Sequence, residues 1–325
     1  MKTRLTELFG IQYPIIQSGM LWVTDPAIVI AVSEAGGLGV LTAHSHPTAE
    51  ALAESIRRIK AATDKPFGIN ISMLPAGANP EKEALIRQFF RTVIEEGVPI
   101  VETAGRNPEE FIPMLKEAGV KVIHKCTAAR FARKAESVGV DAVEIIGYEA
   151  GGHPGMDDIG TMVLVQQTMD TVKIPVAAGG GVVDGRGLAA MLALGADGAV
   201  VGTRFALSEE ATTHPAYRSY MLERTERDTV LIQRSIKNAA RVVKNDAAAK
   251  VLAMEAEGKG LADLLTITAG TNVKKNVSEG LTDGMLYIGQ GVGLIHEIKP
   301  VAQIIEEMVA GAREIAEKTR AALAD

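Results

Sequence analysis

The sequence predicts an α/β protein: a (β/α)8 TIM barrel with a smaller helical subdomain inserted after the eighth strand. Three observations carry this expectation. Short, apolar, β-branched runs alternate with amphipathic segments, the pattern of repeated βα units. Eight such units fit within the first 207 of 325 residues, and none is joined to the next as an antiparallel hairpin. The chain is 47% hydrophobic but only 4% aromatic, so its core rests on Ala, Val, Ile, Leu and Met, a composition that suits buried parallel strands between Ala-rich helices.

The strand candidates, in order, are YPIIQSGM, LGVLTA, FGINISM, IVETAG, KVIHKC, AVEIIG, IPVAAGG and GAVVGTRF. Between them lie helical patterns such as PAIVIAVSEAGG, PTAEALAESIRRIKAAT, PEEFIPMLKEAG, TAARFARKAESVG and GRGLAAMLALGA. Several open at Pro, Asp or Thr and close at Gly, as helix caps predict. After residue 208 the rhythm changes: the text through residue 258 is polar and helical, with no β-rich run. This divides the chain into a barrel with a terminal helix (1–207 and 263–325) and a helical lid or substrate subdomain (208–262). A lid, a packing appendage and a dimerisation surface all fit that segment, so a homodimer stays open.

Bulk properties exclude several function classes. Net charge is −6 with both signs interspersed, which leaves no electrostatic footprint for nucleic acid. The start, MKTRLTELFGIQYPII, lacks a signal-peptide core, and no apolar run reaches the roughly 18 residues a membrane helix requires. A soluble, cytoplasmic protein without nucleic-acid or membrane partners is expected. The single cysteine, Cys126, excludes intramolecular disulfides and a multi-cysteine zinc site.

In a barrel of this kind chemistry lies where strands end and loops begin. The strongest signal is at the ends of the seventh and eighth runs: AAGGGVVDGRG, with Gly179, Gly180 and Gly181, and VVGTRFA, with Gly202 and Thr203. Barrels bind phosphate between these two loops because bare glycine backbone exposes N–H groups. The other strand ends suggest what carries the phosphate. QSGMLW brings the backbone of Gly19 and Met20 close to a flat ring, the third run holds Asn70, and the fifth ends near Lys125. The sixth runs into IIGYEAGGHPG, with Gly151, Gly152 and His153. An amide, an ammonium and an imidazole converging on one mouth suit a redox-active heterocycle better than a sugar phosphate. A fixed cation at Lys125 would stabilise an anionic reduced isoalloxazine and so lower the cost of accepting a hydride.

Other residues have more than one reading. His44 and His46 have H-x-H spacing, but His124 and His153, the candidate further ligands, lie on distant strands, and no metal is assigned. Alternation points Cys126 away from Lys125, which leaves a buried inert thiol. Trp22 and Tyr148 either stack on a ring or pack the mouth. SMLPAGANP reads equally as a gate near a nicotinamide and as a plain surface loop.

Taken together, PIIQSGMLWV, KPFGINISMLP, VETAG, VKVIHKCTA, EAGGHPG, AAGGGVVDGRG and VGTRF resemble the nitronate monooxygenase-like flavoproteins, formerly grouped as 2-nitropropane dioxygenases. Within that family they resemble most closely the branch reassigned as NADH:quinone reductases. The resemblance runs from about Leu5 to Gly293. It implies a non-covalent FMN in the barrel, with Gly19, Met20, Asn70, Lys125, Gly151 and Gly152 around the ring and Gly180, Gly181, Gly202 and Thr203 around the phosphate. It implies a substrate-facing His153, as base or polar contact for a nitro compound in one branch and as hydrogen-bond partner of a quinone carbonyl in the other. The His44 and His46 pair departs from the less polar loop of the family. The implied reaction is ping-pong, with catalytic residues His153 and Lys125: NAD(P)H delivers hydride, and a small-molecule acceptor, a quinone, takes both electrons. No Arg cluster is placed to read a 2′-phosphate, which favours NADH over NADPH. The alternatives are oxidation of a nitronate with O2, reduction of an enoyl thioester, and a non-redox lyase or isomerase with Lys125 forming a Schiff base.

Overall fold

In a computed structural model describing residues 1–73 and 79–324, eight parallel strands close into a barrel. They are β1 (Ile15–Gln17), β2 (Leu38–Thr42), β3 (Phe67–Met73), β4 (Ile100–Gly105), β5 (Lys121–Cys126), β6 (Ala142–Ile146), β7 (Val176–Gly179) and β8 (Gly198–Val201). Each pairs with the next in sequence, and β8 returns to β1 through Ile15 beside Ala199 and Gln17 beside Val201. All eight runs expected to be strands are strands. Most of the SMLPAGANP segment, read as a gate or a loop, lies outside the described residues.

Several of the connecting helices start where the sequence supplies an oxygen to cap them. Asp25 accepts from the N–H groups of Ala27 and Ile28 ahead of Pro26–Glu34, Thr48 from Ala51 ahead of Ala49–Ala62, and Asp184 from Arg186 and Gly187 ahead of Gly185–Ala193. Their apolar faces meet the outward side chains of the strands in one continuous shell that includes Ile28, Ile56, Phe89, Val122 and Leu188. The terminal helix Val301–Ala322 closes that shell with Val301, Ile304, Ile305 and Met308. Cys126 falls in the shell, on the opposite side of β5 from Lys125, and burial pushes its thiol up to about 12.

Inside the barrel the alternation sorts residues by height. A smaller apolar cluster holds Ile16, Val40, Ile100, Ile123 and Ala142, plugged at the N-terminal end by Leu5 and Phe9 of the helix Arg4–Phe9. Two residues further along the chain from each of these five stand Ser18, Thr42, Glu102, Lys125 and Glu144, and Asn70 of β3 joins them. This polar layer floors the C-terminal mouth.

The segment after β8 corrects the expectation of a purely helical insertion. The helices Pro215–Leu222, Asp246–Ala256, Leu261–Thr268 and Gly270–Glu279 accompany an antiparallel pair, β9 (Thr229–Ile232) and β10 (Ala240–Val243). Each strand is four residues long, too short to display a period of two, and no Asn-Gly or Asp-Gly turn joins them. Instead the connection turns through positive φ at Gln233 and Lys237. A second apolar core gathers Leu207, Tyr217, Ile232, Val242, Leu264 and Ile295 with Val23 and Val183 from the barrel loops. Among the described residues no helix is long and apolar enough to cross a membrane.

Candidate active site

Glu102 is the hub of the polar floor. It is wholly buried, and its Oε1 accepts from Ser18 Oγ at 3.1 Å. Its Oε2 accepts from Asn70 Nδ2 at 2.5 Å and from Lys125 Nζ at 3.1 Å. Lys125 Nζ also donates to Ser18 Oγ at 2.5 Å and lies 3.5 Å from Glu144 Oε2. Glu144 is equally buried, yet neither of its oxygens makes a hydrogen bond. Burial, reinforced by the neighbouring Glu102, pushes its pKa well above the carboxylate range and so favours its protonated form. Burial also works to lower the Lys125 ammonium, but the adjacent carboxyl groups, Glu102 first, outweigh it and hold the pKa above its ordinary value. Lys125 is therefore a fixed cation, as expected, but one already paired. Its side chain keeps 20% exposure although protein encloses it, the situation of a residue at the bottom of a cleft.

The rim rises from this floor. A Cβ on Gly19 would overlap the Asn70 side chain and come within 2.8 Å of Thr42 Oγ1, so only glycine lets the end of β1 lie on the polar layer. Gly19→Ala should displace Asn70 and cost about 1–3 kcal/mol, a loss that thermal melts check. Met20 packs against both the outer shell and the second core. After β7, Gly180 and Gly181 take left-handed φ of 114° and 74°, and Gly202 and Thr203 follow the adjacent strand β8. These loops lie side by side and remain partly accessible, and Thr203 Oγ1 accepts from Gly289 N–H at 3.1 Å.

The loop after β6 is held from outside the barrel. A Cβ on Gly151 would meet backbone of Ile288 at 2.6 Å and of Gly289 at 2.7 Å, so the chain that passes close to this glycine is the protein's own. Gly152 has φ 78° and exchanges backbone hydrogen bonds with Arg241 of β10, at 3.1 Å and 2.6 Å. The Arg241 guanidinium donates to Tyr148 O at 2.8 Å and sits 4.5 Å over the Tyr148 ring. His153 Nδ1–H donates to Ala239 O at 3.2 Å, and its ring lies 6.2 Å from that of Tyr287. The residue is exposed, but protein packed around the ring makes the charged form less favourable and lowers its pKa. At neutral pH His153 is uncharged, with Nδ1 committed as donor and Nε2 available as acceptor.

The remaining singled-out residues serve the mouth differently. Trp22 has a positive φ of 63°, donates N–H to Ser45 Oγ at 3.0 Å and carries Lys274 at 4.8 Å over its ring. It thus joins the β1 loop to the subdomain. His44 Nε2 lies 2.7 Å from Ser72 O and His46 Nε2 lies 2.9 Å from Ser55 Oγ, so the two rings engage different elements. His124, bonded to Thr103 Oγ1 at 2.8 Å, is lowered by burial to about 4. An unfolded histidine takes a proton near 6.5, whereas folded His124 resists until about 4. Its contribution is therefore complete above 6.5 and lost as pH falls toward 4, on the order of 3 kcal/mol. Urea unfolding at pH 7 and near pH 4 should show this loss, reduced in His124→Asn.

Ser18, Thr42, Glu102, Glu144, Arg241 and Tyr287 were not legible as site residues. For the two acids a signal existed: each interrupts an apolar strand, and each is in register with a residue already singled out, Glu102 beside Asn70 and Glu144 beside Lys125. The nitronate monooxygenase family model matches residues 2–311. The chain belongs to this family. It is 41% identical over 246 residues, 76% of its length and 67% of the relative's, to a (3aS,4S,5R,7aS)-5-hydroxy-7a-methyl-1-oxo-octahydro-1H-indene-4-carboxyl-CoA dehydrogenase of Rhodococcus jostii. A probable nitronate monooxygenase of Staphylococcus saprophyticus is 35% identical over 76% of this chain and 79% of that one. Among solved structures, FabK from Thermotoga maritima has a TM-score of 0.91 at 39% identity, covering 99% of this chain and 100% of that one. Nitroalkane oxidase from Streptomyces ansochromogenes has a TM-score of 0.83 at 28% identity, covering 98% and 100%. Membership of the nitronate monooxygenase family makes the chain an enzyme, an oxidoreductase of the FMN type.

Proposed function

We propose that the chain binds FMN at the barrel mouth, draws an electron pair from NAD(P)H and passes it to a quinone. The residues present fit the cofactor. The β1 end is cleared of any Cβ at Gly19, the floor offers amide and ammonium groups, and two glycine loops adjoin beyond β7 and β8. In this reading Gly19, Met20, Asn70, Lys125, Gly151 and Gly152 surround the ring, and Gly180, Gly181, Gly202 and Thr203 hold the phosphate. FMN, when bound, supplies a centre that accepts a hydride and releases the electrons again. Lys125 contributes a cation fixed by Glu102 and Ser18, which favours added negative charge at the mouth without reorganisation. The same pairing keeps Lys125 protonated, which disfavours the Schiff-base lyase alternative.

The observation that carries the choice of acceptor is the state of His153. A neutral imidazole whose Nδ1 is committed to Ala239 offers no positive charge and no free donor to an anionic nitronate. It offers an acceptor to a hydroxyl, and a hydroquinone acquires hydroxyls only as it is formed, so the contact favours product-like geometry. The Tyr287 ring lies 6.2 Å from that of His153, which suits a flat molecule. An acyl-thioester oxidoreductase is the second reading. The carboxyl-CoA dehydrogenase relative favours it, and a neutral Nε2 could serve as base at a carbon next to a thioester carbonyl. Steady-state turnover with NADH and a panel of a benzoquinone, an enoyl-CoA and a propyl nitronate separates the readings. Turnover on the quinone alone supports the proposal, and preference for either other substrate removes it.

A further inference from the structure

The polar floor contains one group that the proposed reaction leaves unused. Two wholly buried carboxyl groups, Glu102 on β4 and Glu144 on β6, flank a single cation, Lys125 on β5. One ammonium cannot balance two buried carboxylates, and an unbalanced charge in such a place is costly. The hydrogen bonds show where the imbalance is resolved. Glu102 accepts from Ser18, Asn70 and Lys125, as an ionised carboxylate does, whereas Glu144 has no hydrogen bond at either oxygen. Among the described residues, the charged groups acting on Glu144 are Glu102 and Lys125. Ala177 of β7, its neighbour in register on the other side, carries no charge.

We propose that Glu102 and Glu144 are a proton store for electron transfer at the mouth: the pair holds one proton at rest and takes up a second when an electron pair is loaded. The proposal rests on the flavin reductase reading above. Hydride transfer from a nicotinamide brings two electrons and one proton into the site and leaves one added negative charge. The second proton comes from solvent by way of Lys125, the partly accessible member that touches both acids, and offsets that charge. Reduction of a quinone consumes two electrons and two protons, so the hydride's proton and the stored proton leave together and the pair returns to one. Glu102 and Glu144 act here through Lys125, which pairs with both and is the partly accessible member of the three.

The test has a readout in the cofactor-free protein and one in the loaded protein. Infrared difference spectra of wild type against Glu144→Gln, without flavin and at neutral pH, should show a protonated carboxyl band. The band should also vanish in Glu102→Gln, because Glu144 then becomes the sole carboxyl partner of Lys125 and ionises. A band that survives in Glu102→Gln, or is absent from wild type, overturns the store. In the loaded protein above neutral pH, the pH dependence of the two-electron potential should correspond to two protons per electron pair in wild type and one in the double variant Glu102→Gln/Glu144→Gln, which has no carboxyl group left to take up the second. One proton per pair in wild type overturns the coupling. Failure to bind FMN would remove the proposed function and the coupling with it, while the infrared band still decides whether the pair holds a proton. The wild-type band and proton count suffice if a variant does not fold, which thermal melts reveal.

Discussion

Lys125→Met should slow anaerobic reduction by NADH by about 10²–10³-fold and destabilise the protein by about 3–5 kcal/mol. The kinetic loss follows from removing the one cation of the mouth floor, held by Ser18 Oγ at 2.5 Å and Glu102 Oε2 at 3.1 Å. The stability loss has a different origin, since truncating one partner leaves Glu102 buried and without a counter-ion. The 20% exposure of Lys125 places the expected loss toward the lower end of the range, because water reaches the ion pair from one side. Stopped-flow reduction and denaturant unfolding measure the two effects separately. A variant that loses stability but is reduced at the wild-type rate would show that Lys125 supports the barrel and not the hydride step.

His153→Ala should produce the complementary pattern. Reoxidation by quinone should fall by about 10²-fold, with reduction by NADH unchanged, because His153 lies in the loop after β6, held by Ala239, while Lys125 belongs to the polar floor. The pH dependence has a definite sign. Burial lowers the His153 pKa, so the accepting Nε2 persists through neutral pH and is lost only in acid, below the ordinary histidine range. Wild-type reoxidation should accordingly be flat across neutrality and decline in acid, and the decline should disappear in His153→Ala. A decline centred at or above the ordinary histidine pKa would contradict the neutral imidazole.

The barrel was legible because eight buried parallel strands leave eight apolar runs, several of them set off by helix caps and glycine punctuation. The mouth was legible only in part. Asn70 and Lys125 stand out because a polar residue inside an apolar strand has to be explained, and the same rule extended along VETAG and AVEII reaches Glu102 and Glu144. The hairpin β9–β10 was hidden because four-residue strands take their stability from partners elsewhere in the chain, Gly152 and Tyr287 among them. Its consequence, that Ala239 and Arg241 hold the His153 loop, was hidden with it. Gly151 illustrates a further limit. The absence of a side chain was plain in the sequence, but the neighbour that requires it, the backbone at Ile288 and Gly289, lies more than a hundred residues away.

The most direct test of the central claim is double-mixing stopped flow under anaerobic conditions, following the oxidised-flavin absorbance. Bleaching by NADH in the first mix and rapid recovery on adding a benzoquinone in the second is the predicted result. Absorbance that neither nicotinamide cofactor bleaches, but that a nitronate or a saturated acyl-CoA does, would contradict it and place the reducing substrate elsewhere.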